Sequence, residues 1–205
     1  MPGSGFPWEQ KTPPNFSMKI DIPEDCTHIN VLFSGGADST LLTYLLLKQY
    51  PETPVILHYM KNRLFPYQQP FISQTHEWLN SHFQKQIPIN QWGKTYIRLA
   101  VETILHTFPG YVFSGCNKVP DNVFTPTVII PHDTPPVRGP AYSKQHLRPF
   151  IEMLKPEIYQ IYQKETILDL WNLTFSCGRP IVSDEITPCG GCFFCMERNW
   201  AMQTT

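Results

Sequence analysis

The sequence predicts an α/β fold, a doubly wound and mainly parallel sheet closed at the C-terminal end by a four-cysteine segment. Three observations carry this. A short apolar run, a polar turn with adjacent glycines and a longer apolar run follow one another between residues 28 and 47. Short β-branched runs then alternate with helix-period segments up to residue 114. Finally, Cys177, Cys189, Cys192 and Cys195 cluster near the end of the chain.

Residues 1–27 hold five prolines (Pro2, Pro7, Pro13, Pro14 and Pro23) and little periodicity, so they read as an irregular arm with one short strand over 18–22. Residues 28–33 are apolar, β-branched or aromatic, and short enough for a buried strand. Residues 40–47 suit a three-turn helix stopped by Pro51. A second strand is expected over 55–59 and a loop over 60–69. Trp78, Leu79 and Phe83 continue the helical spacing from Phe71, giving a helix over 74–83. Residues 86–90 read as an edge strand, because Pro88 is tolerated only there. Ile97, Ala100, Val101, Ile104, Leu105 and Phe108 form one apolar stripe of a helix over 96–108, and residues 110–114 a further strand. Residues 119–146 are proline-rich and without helical period, a loop long enough to be functional. His132 and His146 read there as solvated side chains, and Arg138 and Lys144 as weak candidates for anion contacts. Pro156 at a first helical position and Glu157 in the first turn start the helix that buries Ile158 and Ile161.

The turn itself reads Ser34, Gly35, Gly36, Ala37, Asp38, Ser39. Strand, glycine turn and helix bring bare backbone N–H groups onto an anion at a helix N-terminus. The two glycines allow positive φ and close approach to a phosphate. Ser34 and Ser39 add hydroxyl donors, and Asp38 can cap the helix or hold a cation. No Gly-Lys-Ser/Thr follows, so this is not a Walker A loop. In a doubly wound sheet ligands lie beyond the strand carboxyl ends, where Ser34 to Ser39, Tyr59 to Lys61 and Gly115 to Lys118 would gather.

Cys189, Cys192 and Cys195 repeat at Cys-x-x-Cys spacing, with Cys177 upstream, and four thiolates can close a tetrahedral zinc site. Such a site has no open position and is structural. An iron–sulfur cluster uses the same number of cysteines and stays open as an alternative. Cys26 and Cys116 lack partners at such spacing, and Cys26 reads as core.

Composition narrows the function classes. The 205 residues carry 16 basic and 17 acidic side chains, no footprint for a nucleic-acid backbone, so a small polar ligand is the expected partner. Charged residues are only 16%, while hydrophobic residues are 41% and prolines number 21, which suits long irregular connections in a folded chain. No apolar signal-type run and no stretch of membrane-span length is visible, so the expectation is a cytoplasmic protein whose six cysteines are ligands or thiols.

The S-G-G-A-D-S string resembles the SGGxDS signature of the N-type ATP pyrophosphatases, the PP-loop superfamily with its Rossmann-like, adenine nucleotide alpha hydrolase-like fold. Thr174, Phe175, Ser176 and Cys177, followed by residues 188–198 (P-C-G-G-C-F-F-C-M-E-R), are similar to the tail of its 7-cyano-7-deazaguanine synthase family. Residues 147–161 are similar to a segment ordered near ATP in that family, with Arg148 and Lys155 as its basic residues. Between these blocks the family's Pro-Gly-Arg-Asn-like segment is not found, and its substrate loop survives only loosely over 115–121, where Lys118 lies.

The resemblance implies an ATP pyrophosphatase domain over 28–172 and a zinc segment over 173–205. It further implies ATP and Mg²⁺ as ligands, with the pyrophosphate held at residues 34–39 and contacts from Lys118, Arg148 and Lys155. The reaction implied is adenylation of a carboxylate such as 7-carboxy-7-deazaguanine, pyrophosphate release, and conversion with ammonia to amide or nitrile. No side-chain nucleophile is expected, and homodimer formation is left open. Sulfur transfer, either thiolase-like or phosphoadenylylsulfate-reductase-like, is the alternative within the superfamily. A zinc-stabilised nucleotide-binding module without turnover is the alternative outside it.

Overall fold

The computed structural model describes residues 18–61, 66–93, 97–120, 141–182 and 185–205. Its centre is a five-stranded parallel sheet in the order β3-β2-β1-β4-β5. The strands are β1 (Ile29–Leu32), β2 (Val55–Met60), β3 (Ile89–Trp92), β4 (Tyr111–Ser114) and β5 (His146–Leu147). Ile29 stands opposite Val55 on one side and Tyr111 on the other, which fixes the register of the three central strands. The helices are α1 (Ala37–Gln49), α2 (Gln69–Phe83), α3 (Ile97–Thr107), α4 (Lys155–Lys164), α5 (Leu168–Leu173) and α6 (Phe193–Gln203). A two-stranded antiparallel ribbon, β6 (Ile181–Val182) with β7 (Ile186–Thr187), precedes α6.

Alternation along the strands splits the core into two layers. Ile29, Val31, Leu57 and Phe113 point to the layer holding α1, α2, α4 and α5, while Leu32, Met60 and Val112 pack with Val101 and Ile104 of α3. Helices on both faces make the sheet doubly wound, as the sequence predicts. The helix α1 lies deep enough that ten of its residues are buried, from Ala37 to Leu47, with Ser39, Thr40 and Thr43 among them. Ala201 of α6 belongs to the same main core. No described helix is long and apolar enough to cross a membrane.

Several expectations shift. Residues 18–22 form no strand; they are irregular chain held down by Ile20, which is buried and whose amide donates to Gln49 Oε1 at 2.8 Å. The edge strand lies at Ile89–Trp92, one step past Pro88, whose carbonyl accepts from Leu57 N at 2.8 Å. Proline thus contributes an acceptor where it could not donate. The second helix begins earlier than expected, at Gln69, after a 3₁₀ turn over Pro66–Gln68. Ile97 does not join the α3 stripe and is 55% exposed at the mouth of a cleft. Lys155 takes the first position of α4 and Pro156 the second, while Glu157 accepts from the Leu154 amide at 2.7 Å. Of the long loop, residues 121–140, with His132 and Arg138, lie outside the described residues. Cys26 is half-buried against the main core.

A polar ladder crosses the α3 face of the sheet. Asn30 Nδ2 donates to the Pro109 carbonyl at 3.0 Å and its Oδ1 meets His58 Nε2 at 3.0 Å. Trp92 Nε1 donates to His58 Nδ1 at 3.1 Å, which makes Nδ1 an acceptor and leaves the proton on Nε2. Burial lowers the His58 pKa to about 4. Because this folded value lies below the ordinary one, the contribution of His58 to stability is complete above pH 6.5 and is lost as the unfolded chain takes up a proton below it. Between pH 7 and pH 5 the stability advantage of the wild-type chain over His58→Asn is expected to shrink by about 2 kcal/mol, read from urea titrations at the two pH values. At Gly115, just after β4, a Cβ would lie 2.5 Å from the carbonyl carbon of Asp38. Gly115→Ala is expected to cost about 1–3 kcal/mol in the same measurement, because backbone meets backbone there.

Candidate functional site

The turn after β1 opens into a cleft of about 380 Å³ at the carboxyl ends of β1 and β4. Gly35 adopts φ +69°, and Ile72 of α2 packs so closely that a Cβ would sit 3.0 Å from its backbone nitrogen. Gly36, in extended conformation, is the N-cap of α1. Asp38 therefore does not cap the helix; it stands within the first turn. Ser34 Oγ and Ser39 Oγ lie 3.0 Å apart, the Ser34 amide donates to Ser39 Oγ at 3.2 Å, and the Gly36 amide to Ser34 Oγ at 3.3 Å. The two hydroxyls brace the loop from inside. Ser34, Gly36, Ala37, Asp38 and Ser39 all line the cleft, with the positive end of a thirteen-residue helix behind them.

Around this floor stand two walls. One comes from the ends of β4 and β5: Ser114, Gly115, Cys116, Tyr142, His146 and Arg148. His146 is buried, not solvated as expected. The Tyr142 amide donates to its Nδ1 at 3.3 Å, so Nε2 carries the proton and donates to Ser114 Oγ at 2.9 Å. Burial, aided by the nearby Arg148 charge, lowers the His146 pKa to about 4, which keeps the ring neutral near pH 7. The Tyr142 ring stacks on it with centroids 5.5 Å apart. Lys118 is exposed outside the cleft lining, and its backbone amide is bound to the Met153 carbonyl. Tyr59 to Lys61 and Lys144 do not line the cleft either.

The second wall is the C-terminal segment: Phe175, Ser176, Cys177, Gly178, Phe194 and Glu197. The Phe175 amide donates to the Gly35 carbonyl at 3.3 Å, joining this wall directly to the loop. Between the walls Lys155, only 4% exposed, grips Asp38 with Nζ at 2.5 and 2.7 Å from its two oxygens. Glu197 Oε2 lies 3.5 Å from the same Nζ, and Asn117 Nδ2 donates to Glu197 Oε1 at 3.1 Å. Arg198, whose guanidinium lies over Trp171, donates to the Thr174 hydroxyl and the Trp171 carbonyl. Lys155 and Arg148 both line the cleft. Ser114, His146, Asn117 and Glu197 are not marked by any spacing in the sequence, since their partners lie 80 residues away for Asn117 and 32 for Ser114.

Cys177, Cys189, Cys192 and Cys195 come together with all four sulfurs within 4.8 Å of one another. The Cys189–Cys195 and Cys177–Cys192 sulfurs are each 3.9 Å apart. A tetrahedral ion with metal–sulfur bonds of about 2.3 Å sets its ligands about 3.8 Å apart, so the set fits one four-coordinate metal ion. The Arg179 and Cys189 amides each donate to Cys177 Sγ at 3.3 Å, the amide-to-sulfur bonds that stabilise a thiolate. Tyr67 ties the knuckle to the start of α2 by donating to the Gly178 carbonyl at 2.8 Å.

Removing one ligand should empty this centre. Cys192→Ser is expected to leave a chain that is insoluble or binds well under one metal ion, measured by elemental analysis of the purified protein. A soluble variant with full metal content would contradict the four-ligand assignment.

No protein-family model matches the chain, and no curated protein does. Among solved structures, the NH₃-dependent NAD synthetase of Campylobacter jejuni, in complex with nitrate, aligns over 71% of this chain and 67% of its own at 14% identity and a TM-score of 0.44. The U34-tRNA thiolase NcsA of Methanococcus maripaludis, with its [4Fe-4S] cluster, aligns over 90% and 67% at 12% identity and a TM-score of 0.46. Likenesses this distant leave the reading of the cleft to its own residues.

Proposed function

We propose that the protein is an ATP-dependent enzyme of the PP-loop type that adenylates a substrate carboxylate and joins it to ammonia. The observation that carries the reading is the cleft itself. The S-G-G-A-D-S turn sits at the N-terminus of a buried helix, with Asp38, Lys155 and Arg148 gathered over it.

In this reading a carboxylate oxygen attacks the α-phosphorus of ATP, and the bond to the β,γ-pyrophosphate breaks. Backbone amides of the loop receive the pyrophosphate as its charge develops, and Arg148 and Lys155 supply positive charge beside it. Asp38 is the carboxylate available to Mg²⁺, which offsets phosphate charge when bound. Ammonia then attacks the acyl carbon and AMP leaves, giving an amide. Positioning and charge stabilisation suffice, and no side-chain nucleophile is required. The acceptor proposed is 7-carboxy-7-deazaguanine or an analogue, on the resemblance of the loop and the cysteine tail. We assign zinc to the four-cysteine centre, because thiolates this close together suit a single ion better than a cluster that must fit several iron atoms between them.

Incubation with MgATP, ammonium and 7-carboxy-7-deazaguanine is expected to release pyrophosphate and AMP, with amide or nitrile product found by mass spectrometry. ATP binding without turnover would keep the loop and remove the acceptor. The double variant Ser34→Ala, Asp38→Ala is expected to abolish ATP binding; retained binding would sink the phosphate-loop assignment. The sulfur-transfer reading has one observation in its favour, the Cys116 thiol in the cleft wall, 3.7 Å from Ser114 Oγ. Cys116→Ser distinguishes the two, because ligation survives its loss and sulfur transfer through it does not.

A further inference from the structure

The phosphate loop and the cysteine segment meet at one buried cation. Lys155 Nζ faces both Asp38 oxygens, at 2.5 and 2.7 Å, and Glu197 Oε2 at 3.5 Å. Lys155 and Arg198, whose guanidinium also feels the Asp38 charge, together balance the two carboxylates, so a divalent cation reaches Asp38 by an exchange of partners. The carboxylates differ in access: the Asp38 side chain is 19% exposed and the Glu197 side chain 3%. A cation arriving through the cleft therefore reaches Asp38 first. A cation there competes with the two Lys155 contacts for the same oxygens, and Glu197 is the other acceptor already beside the ammonium.

Glu197 is held for this task. Its second oxygen accepts from Asn117 Nδ2 at 3.1 Å, and it stands two residues beyond Cys195, in the helix whose N-cap is Cys192. The metal centre thus sets the first turn of α6, and α6 sets the carboxylate. We propose that Glu197 is a positioning residue for Lys155. As Mg²⁺ and nucleotide enter, Lys155 passes from Asp38 to Glu197, freeing Asp38 for the divalent cation while keeping the ammonium at the cleft wall. The inference rests on the reading of the cleft as an ATP site.

The test is calorimetric titration of the full, metal-loaded chain with ATP, with and without Mg²⁺. Glu197→Gln is expected to weaken MgATP binding by about tenfold and Mg²⁺-free ATP binding by less than about twofold, since Lys155 has no need to leave Asp38 when Mg²⁺ is absent. Metal content at the cysteines is expected to stay at the wild-type level. Glu165→Gln serves as the control: it removes an ion pair with Lys48 of α1 outside the cleft lining and is expected to move neither affinity. MgATP affinity unchanged in Glu197→Gln would overturn the proposal, and equal weakening with and without Mg²⁺ would reduce Glu197 to a structural role and overturn it too. If the amide variant does not fold, Glu197→Asp keeps the charge on a shorter stem. It is expected to lower the preference for MgATP over ATP by about two- to threefold, and an unchanged preference again overturns the proposal. A wild-type chain that binds no ATP under either condition overturns the ATP-site reading itself.

Discussion

The ion pair between Asp38 and Lys155 is the contact on which the arrangement of the cleft depends. It joins the first turn of α1 to the first turn of α4, and through Glu197 to α6, so three helices from distant parts of the chain are referenced to one ammonium group. Buried ionic groups of this kind are poor sources of net stability, because each charge must leave water. What they supply is geometry: an ammonium with two acceptors in fixed directions cannot be satisfied by a slightly different packing of the helices.

The loop beneath that pair is shaped by backbone sterics. The left-handed φ of Gly35 turns the chain under the N-terminus of α1, and Gly115 lets β4 approach the Asp38 carbonyl closer than any side chain would permit. Both shape the turn that leads into the buried helix α1 at the floor of the cleft. Ser34 and Ser39 hold the turn together and also line the cleft.

The four-cysteine segment acts as a wall of the same cleft. Phe175 is bonded to Gly35, Cys177 borders the cavity, and Glu197 reaches the lysine, so the four-sulfur knuckle and the glycine loop share a boundary. Ions bound at structural sites commonly stabilise the fold that surrounds them. Here the element that such an ion would support is in contact with the site of proposed chemistry.

How much was legible in the sequence follows from the range of each interaction. The strand and helix alternation, the loop at residues 34–39 and the cysteine spacing are local patterns, written within a few residues of one another, and they determined the doubly wound sheet, the position of the loop and the set of four sulfurs. Edge effects such as the start of α2 at Gln69, or the irregular course of residues 18–22, escaped because they depend on what packs against them. Only the tertiary structure decided that His146 is a buried neutral partner of Ser114, that Lys118 lies away from the cleft, and that Asp38 is held by Lys155 with Glu197 at its back. Those pairings join residues 32 to 117 positions apart, and no local period records a contact that exists only after the sheet has brought its strand ends together.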